Sequence, residues 1–146
     1  MLRQIDIPPF WLGLALLAGW GLSFLLAVPF VAAGVLLIGL GGVVMLGAVA
    51  QMVLARTTFI PRRNPTALVT GGFFAISRNP IYLADALILT GAILFWGALF
   101  ALPVIPAFMS LITQRYILDE ENRLQAGFGA EYSTWAARTG RWIGPL

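Results

Sequence analysis

Two short polar segments carry most of the side chains that could do chemistry in this chain. Residues 77–82 read Ser-Arg-Asn-Pro-Ile-Tyr, and Asp85 follows three residues after Tyr82, on the same face if the segment is helical. Residues 119–121 form an acidic run, Asp-Glu-Glu. Carboxylates, phenols and amides bind polar or cationic ligands, and a carboxylate also accepts protons in catalysis.

The residue types that are missing restrict this chemistry further. The 146-residue chain has no cysteine and no histidine, and all nine of its cationic residues are arginine. Disulfides, thiolate metal sites, thiol nucleophiles, imidazole bases and Schiff-base lysines are therefore excluded, and we expect no metal site. Any reaction must rely on acids, Arg, Tyr, Ser, Thr, Asn, backbone groups and a bound cofactor.

The segment at residues 77–82 also has a purely structural explanation. Asn79 is a helix-capping residue type and Pro80 fits the first turn of a helix, so the segment opens a helix whether or not it binds a ligand. Under this explanation Arg78 and Tyr82 are interfacial side chains of a membrane helix.

The carboxylates need a separate account. Asp85 either faces the protein interior or a wet cavity, because a carboxylate facing lipid is costly, or it lies shallow enough to be hydrated. Around the acidic run, Arg115 and Arg123 stand four residues from Asp119, as on a solvated helix. That spacing supplies no cation to the two glutamates that follow, and we interpret them as a pair able to hold a polar ligand at the membrane surface.

The composition indicates what positions these segments. The chain is 60% hydrophobic and 10% charged, with a mean hydropathy of +0.89, which excludes a water-soluble monomer. We predict an all-α polytopic membrane protein, a single domain with four transmembrane helices in two hairpins. The predicted spans are residues 9–27, 30–55, 81–100 and 102–118, the last running on beyond the membrane. A turn at Val28-Pro29 separates the first two, and the glycines of the second helix allow close packing.

The arginines predict the orientation. They precede the first span, fill the loop at residues 56–80 and follow the fourth span, while both other turns lack charge. By the positive-inside rule, both termini, this loop and the tail at residues 119–146 are cytoplasmic, in the inner membrane. The net charge of +3 is therefore read as an arginine bias at one membrane face, with no nucleic-acid partner. The tail is predicted to be a glycine-broken interfacial helix.

The order of the motifs resembles one known group. An apolar loop with Gly71-Gly72, the Arg-Asn-Pro-Ile-Tyr segment, an apolar hairpin, the acidic run and Phe-Gly-Ala-Glu-Tyr at residues 128–132 follow one another. This series resembles the integral-membrane methyltransferases related to isoprenylcysteine carboxyl methyltransferase and phospholipid N-methyltransferase, over about residues 56–142. The resemblance implies S-adenosylmethionine as the methyl donor and a lipophilic small-molecule or lipid acceptor, beside the membrane lipids themselves.

The resemblance also implies site residues. Arg115 is implied to face the substrate, with Tyr82 and Asp85 as the other catalytic candidates. The positions implied to bind the cofactor lie in the loop, the helix start and the acidic run: Thr66, Ala67, Leu68, Val69, Gly72, Phe74, Arg78, Asn79, Pro80, Ile81, Tyr82, Glu120 and Glu121. Three positions depart from the family pattern: Asn79 replaces a histidine, Phe74 a tyrosine, and Ala84-Asp85 a glycine followed by a non-acidic residue.

The implied chemistry suits a chain without histidine. The methyl group of a sulfonium is already activated, so the protein mainly aligns donor and acceptor. A carboxylate or thiolate acceptor needs no general base, whereas a protonated amine needs one, for which Asp85 or Glu121 is the available type. We therefore expect a carboxylate or thiol acceptor at the cytoplasmic face. A phospholipid amine methyltransferase and a non-catalytic four-helix scaffold are the alternatives. A transporter is poorly supported, because Asp85 is the one carboxylate within the predicted spans and no repeat symmetry is present.

Overall fold

The computed structural model describes residues 7–24, 30–58 and 65–144, and these ranges contain helices, turns and loops but no strand. The all-α prediction is therefore confirmed for the described residues. The predicted turn at Val28-Pro29 and three arginines used for the orientation, Arg3, Arg62 and Arg63, lie outside them. The α-helices are α1 (Pro8–Ser23), α2 (Val31–Leu54), the single turn α3 (Phe73–Ile76), α4 (Pro80–Phe95), α5 (Val104–Ile112) and α6 (Leu118–Ala136).

Helix α2 follows its predicted span closely and ends in a capping motif that matters for the site. The amide of Thr57 donates to the carbonyl of Met52, and the amide of Arg56 donates to that of Val53. This pair of bonds defines a Schellman motif, whose closing residue takes the left-handed conformation. That residue is Arg56, with φ of 53°, where glycine is the usual choice.

Helix α4 ends five residues before the predicted boundary at residue 100. Gly97 has φ of 66°, its amide donates to Leu94, and the amide of Ala98 donates to Ile93, which is again a Schellman motif. The prediction of a helix over residues 81–100 is therefore wrong at its end, because the apolar run continues past a glycine that stops the helix. A short 3-10 turn, Leu99–Ala101, follows.

The predicted fourth helix is longer and less regular than a single span of residues 102–118. Helix α5 passes into a π turn at Thr113–Ile117 and then into α6, so the helical stretch continues to Ala136. Its extension beyond the apolar part was predicted, and so was a break by glycine in the tail. Gly129, with φ of 50° and ψ of −118°, interrupts α6 as expected.

The described chain divides into two compact units. Unit 1 comprises residues up to Gly42 and residues Ala84–Ile112, and unit 2 comprises Val43–Leu83 and the chain from Thr113 onward. In unit 1, α1 packs against α5 and the 3-10 turn, and α2 approaches α4 through Gly34 and Gly91. A Cβ at Gly34 would lie 2.7 Å from the carbonyl oxygen of Gly91, so the two backbones are in direct contact.

Unit 2 has a small apolar core under the polar segments. Ala48, Phe74, Tyr132 and Trp135 are its buried members, and half-buried side chains of α2, the loop and α6 surround them. A Cβ at Gly47 would overlap the ring of Phe73, so this glycine allows α3 to lie against α2. The predicted packing role of the α2 glycines is confirmed at residues 34, 41 and 47, whereas residues 39 and 42 face open space.

Two helical stretches, Val31–Leu54 and Leu99–Ala136, are long and apolar enough to cross a membrane, and Pro80–Phe95 is a shorter apolar helix. Only 22% and 28% of their most apolar windows are buried within the protein. Leu36, Leu46 and Leu54 of α2, for example, are 72%, 73% and 83% exposed. Large apolar surfaces of this kind mark sites of membrane or protein contact.

Candidate functional site

Four polar side chains named from the sequence converge in unit 2, where the first turn of α4 meets the first turn of α6, and Arg141 joins them there. Five residues form this group, which we call the polar cluster: Arg78, Tyr82, Glu120, Glu121 and Arg141. Arg78 and Tyr82 belong to the start of α4, the two glutamates to α6, and Arg141 to the chain after α6.

Tyr82 and Glu120 are joined by a short hydrogen bond. The Tyr82 hydroxyl donates to Oε1 of Glu120 over 2.7 Å, and the Tyr82 side chain is 6% exposed. The ring of Tyr116, from the π turn, lies with its centroid 6.4 Å from that of Tyr82. A π turn inside an α-helix often accompanies a functional site, because it changes the register of the side chains that follow.

Glu121, the next residue, is held by two arginines from distant parts of the chain. Arg141 binds it in a bidentate manner, with Nε 3.0 Å from Oε1 and a terminal guanidinium nitrogen 2.7 Å from Oε2. Arg78 approaches Oε1 at 3.3 Å and also donates to the Tyr132 hydroxyl over 3.3 Å. The glutamate that the i,i+4 spacing left unexplained therefore has cationic partners, supplied by tertiary structure.

Arg78 keeps one buried donor without a protein partner. Its side chain is 9% exposed, and its Nε has no hydrogen-bond acceptor within the part of the chain that the structure describes. A buried donor left in this state costs about 1–3 kcal/mol, so such groups usually meet a water or a ligand.

The surroundings of the two glutamates shift the pKa values of Glu120 and of Arg141, the partner of Glu121, for different reasons. Desolvation raises the pKa of the Glu120 carboxyl above its usual value, opposed by the hydrogen bond from Tyr82 and the charge of Arg123. Arg123 itself forms the predicted i,i+4 pair with Asp119, at 2.8 Å. The hydrogen bonds with Glu121 raise the pKa of Arg141, which stays charged. Glu120 is therefore an acceptor whose ionised form gains from a cationic or hydrogen-bond-donating ligand.

The chain after α6 closes over the start of α4. We call residues 139–144 the tail segment and residues 77–80 the SRNP turn. The Arg141 carbonyl accepts from Asn79 Nδ2 over 3.1 Å and from Ser77 Oγ over 3.3 Å. The Arg78 amide donates to the Gly140 carbonyl over 2.9 Å. These bonds join the tail segment to the turn through both side chains and backbone.

The loop before the SRNP turn is fixed to the end of α2 by two polar side chains. Thr57 Oγ1 accepts the amides of Thr66, at 3.1 Å, and Ala67, at 3.3 Å. Gln51 donates to the Gly71 carbonyl and accepts the Phe73 amide. The Schellman motif at Arg56 places Thr57 where it reaches the loop, so the irregular end of α2 positions the predicted cofactor segment.

Most predicted site residues lie in unit 2, although they serve different purposes there. Phe74 is 8% exposed and belongs to the apolar core, with its carbonyl bound by the Trp135 indole at 2.9 Å. Leu68 and Val69 of the loop and Ile81 of α4 are partly buried beside that core, and Gly72 is exposed at the turn. Asn79 and Pro80 are buried at the start of α4.

Two predicted catalytic residues, Asp85 and Arg115, are not members of the polar cluster, and each has its own surroundings. Asp85 belongs to unit 1, where it is 5% exposed, so the interior alternative holds and the hydrated one does not. Arg115 is exposed on the π turn and has interactions of its own. Neither is placed on the cluster by the geometry of unit 2.

Three residues that contribute to the site were not identified from the sequence, Gln51, Thr57 and Arg141, and Ser77 was recognised only as part of its motif. Gln51 offered a signal, because it is a polar residue near the end of a long apolar helix. Arg141 offered no local signal, since its partner Glu121 lies 20 residues away and its other contacts lie more than 60 residues away.

Comparison with known proteins agrees with the motif order. Searches of the curated proteins and of the solved structures gave no significant match. A family model described as phospholipid methyltransferase matches residues 29–131, well over half of the chain. Together with the helices apolar enough to cross a membrane, this match identifies a membrane methyltransferase, and the chain belongs to the phospholipid methyltransferase family.

Proposed function

We propose that this protein transfers a methyl group from S-adenosylmethionine to a lipophilic acceptor at the cytoplasmic face of the inner membrane. Methyltransferases of this family generally use that donor. The observation that carries the proposal is the Tyr82–Glu120 hydrogen bond, which joins the two motifs on which the resemblance depends, 38 residues apart. If the two motifs bind one cofactor, their polar side chains must lie together, and this hydrogen bond brings them together.

The residues present fit the chemical groups of S-adenosylmethionine. Glu120 can accept hydrogen bonds from ribose hydroxyls or from the ammonium group. The buried Nε of Arg78 can donate to an anionic or carbonyl oxygen, which would satisfy it. The half-buried apolar side chains of Leu68 and Val69 suit an adenine ring. When bound, the cofactor supplies an activated methyl group on a positively charged sulfur.

The chain's own residues then act by binding and orientation. Tyr82 holds Glu120 in one rotamer through its 2.7 Å bond, and the SRNP turn is held by the tail segment. A preorganised site of this kind contributes to the rate because the partners meet in a reactive geometry. Nothing in this scheme requires a histidine, a cysteine or a metal ion.

The acceptor we favour is a carboxylate or a thiol, since neither needs a strong base. Of the two acids proposed as a base for an amine, Glu121 is already bound in ion pairs with Arg78 and Arg141. A phospholipid amine is the second candidate, favoured by the description of the matching family. Four membrane spans with both termini cytoplasmic, and entry of the acceptor sideways from the bilayer, complete the proposal.

Calorimetric titration of the detergent-purified chain with S-adenosylmethionine and with its demethylated product tests the cofactor. We expect micromolar binding that Glu120→Ala weakens at least tenfold, which corresponds to about 1.4 kcal/mol. Tyr82→Phe should weaken it to a smaller extent. Thr134→Ala, which removes an exposed hydroxyl of α6 bonded only to its own helix, is the matched control. Absence of binding in detergent and again in nanodiscs would overturn the proposal and leave the non-catalytic scaffold.

Transfer of labelled methyl groups identifies the acceptor class. The chain in nanodiscs is incubated with labelled S-adenosylmethionine and, in separate reactions, a lipophilic thiol with a free S–H group, a prenylated cysteine with a free carboxylate, and phosphatidylethanolamine. Label in the thioether or ester product supports the first candidate, whereas label in the phospholipid alone supports the second. Cofactor binding without transfer to any of the three would contradict both.

A further inference from the structure

The tail segment lies outside the recognised motifs and contacts the site through both side chains and backbone. Arg141 uses both of its polar ends there: its guanidinium binds Glu121 on α6, and its carbonyl accepts from Asn79 and Ser77 of the SRNP turn. One residue therefore connects the start of α4 to the start of α6. Within the described part of the tail segment, Arg141 alone forms hydrogen bonds with both elements.

The connection has a direct consequence for Glu120. Adjacent residues of a helix point about 100° apart, so two contacts on Glu120 and Glu121 fix the rotation of α6 about its axis. Tyr82 supplies the first contact and Arg141 the second. Removal of the Arg141 side chain leaves Glu121 with Arg78 alone, at the longer distance of 3.3 Å.

We propose that Arg141 is a positioning residue, which holds the SRNP turn and the acidic run of α6 in one register for the cofactor. The expected effect on cofactor affinity rests on the proposed function. The connection between the SRNP turn and α6 rests only on the contacts of Arg141. Because the pair with Glu121 is bidentate, geometry as well as charge should matter, and lysine should replace arginine only in part.

The test uses five variants of the full-length chain in nanodiscs: Arg141→Ala, Arg141→Lys, Glu121→Gln, the double variant Arg141→Ala with Glu121→Gln, and the control Arg138→Ala. Arg138 is an exposed arginine three residues earlier, so the control removes the same charge from the same tail. Titration with S-adenosylmethionine yields both the dissociation constant and the fraction of competent protein. If Arg141 only supported folding, its substitution would lower the fraction of protein that binds. The protein that still binds would keep the dissociation constant of wild type.

We expect Arg141→Ala to raise the dissociation constant about tenfold, Arg141→Lys to raise it less, and Arg138→Ala to leave it within twofold. Glu121→Gln should cost less in the Arg141→Ala background than in wild type, because the contact with Arg141 is already lost and only the pair with Arg78 remains. A loss of competent fraction with an unchanged dissociation constant in Arg141→Ala and Arg141→Lys would overturn the inference. So would equal effects of Arg138→Ala and Arg141→Ala.

Hydrogen exchange of the ligand-free chain separates this inference from the proposed function. The Arg78 amide is bonded to Gly140, so exchange in a peptide covering the SRNP turn should accelerate in Arg141→Ala and not in Arg138→Ala. If wild type fails to bind S-adenosylmethionine while this difference appears, the proposed function fails and the connection made by Arg141 stands. Unchanged exchange in Arg141→Ala would overturn the connection itself.

Discussion

The Tyr82 hydroxyl lies 2.7 Å from Oε1 of Glu120, so the first turn of α4 and the first turn of α6 share a hydrogen bond inside unit 2. Neighbouring Glu121 is bound by Arg141 and Arg78. Two consecutive acids on one helix therefore have different partners: a phenol for one and a pair of guanidiniums for the other. The ion pairs neutralise Glu121, which leaves Glu120 as the acid suited to a ligand.

Glu120→Gln should stabilise the ligand-free chain at neutral pH. Burial raises the folded-state pKa of Glu120, so the folded protein binds this proton more tightly than the unfolded one. Stability from this group is therefore present below its unfolded pKa and is lost as the pH rises through its folded pKa. Thermal unfolding from pH 4.5 to pH 8 should show wild type falling below the variant as the pH increases, since glutamine still accepts from Tyr82.

The same substitution should weaken cofactor binding, so stability and affinity move in opposite directions. Asp119→Asn is a control at an exposed acid of the same turn, whose side chain is 51% exposed. A stability difference between Glu120→Gln and wild type that does not change with pH would contradict the role of burial.

Gly72→Ala should destabilise the chain, whereas Gly71→Ala should not. Gly72 has φ of 58° and ψ of −123°, and the Phe74 amide donates to the Gly71 carbonyl, as in a type II′ turn. Alanine in that conformation costs about 1–3 kcal/mol, and its Cβ would also displace the Gln51 amide. Gly71 faces open space. Thermal unfolding of both variants checks this, and equal losses would contradict the turn assignment.

Thr57→Val should loosen the loop, and Thr57→Ser should leave it in place. The hydroxyl accepts two backbone amides, and valine of similar shape leaves both without an acceptor. Each unsatisfied buried donor costs about 1–3 kcal/mol. Hydrogen exchange at Thr66 and Ala67 should increase in the valine variant only. Protection that is equal in the two variants would show that the hydroxyl does not hold the loop.

Gly34→Ala should disturb unit 1, and Gly39→Ala should be neutral or slightly stabilising. A Cβ at Gly34 would lie 2.7 Å from backbone atoms of Gly91 and Phe95, which cannot rotate away. Overpacking of this kind costs about 1–3 kcal/mol, while alanine at an open helical position gains up to about 1 kcal/mol over glycine. Unfolding in detergent measures both, and a tolerated Gly34→Ala would exclude the close approach of α2 to α4.

The sequence was sufficient for features that depend on local physics. The apolar run at residues 30–55 predicted α2 to within one residue at each end, because nothing in it stops a helix. Pro80 marked the start of α4, and the glycines of the tail marked the break at Gly129. The boundary at residue 100 was wrong, since hydropathy does not register the positive φ of Gly97.

The candidate site also has parts that the sequence revealed and parts that it did not. Its motifs, the acidic run and the SRNP turn, were recognisable because their residue types are rare in a chain that is 10% charged. Their partners were not, since Tyr82 to Glu120 and Glu121 to Arg141 are contacts over 38 and 20 residues.

Composition and local pattern were enough to predict helices apolar enough for a membrane, and the order of the motifs was enough to show the resemblance to a methyltransferase family. Only the tertiary structure decided that Glu120 faces Tyr82, that Glu121 is neutralised by Arg78 and Arg141, and that Phe74 belongs to the core. The physical reason is that propensity and hydropathy act within a few residues. The partner of a buried charge, in contrast, is set by how distant segments pack, because each buried polar group must find a partner wherever the fold brings one.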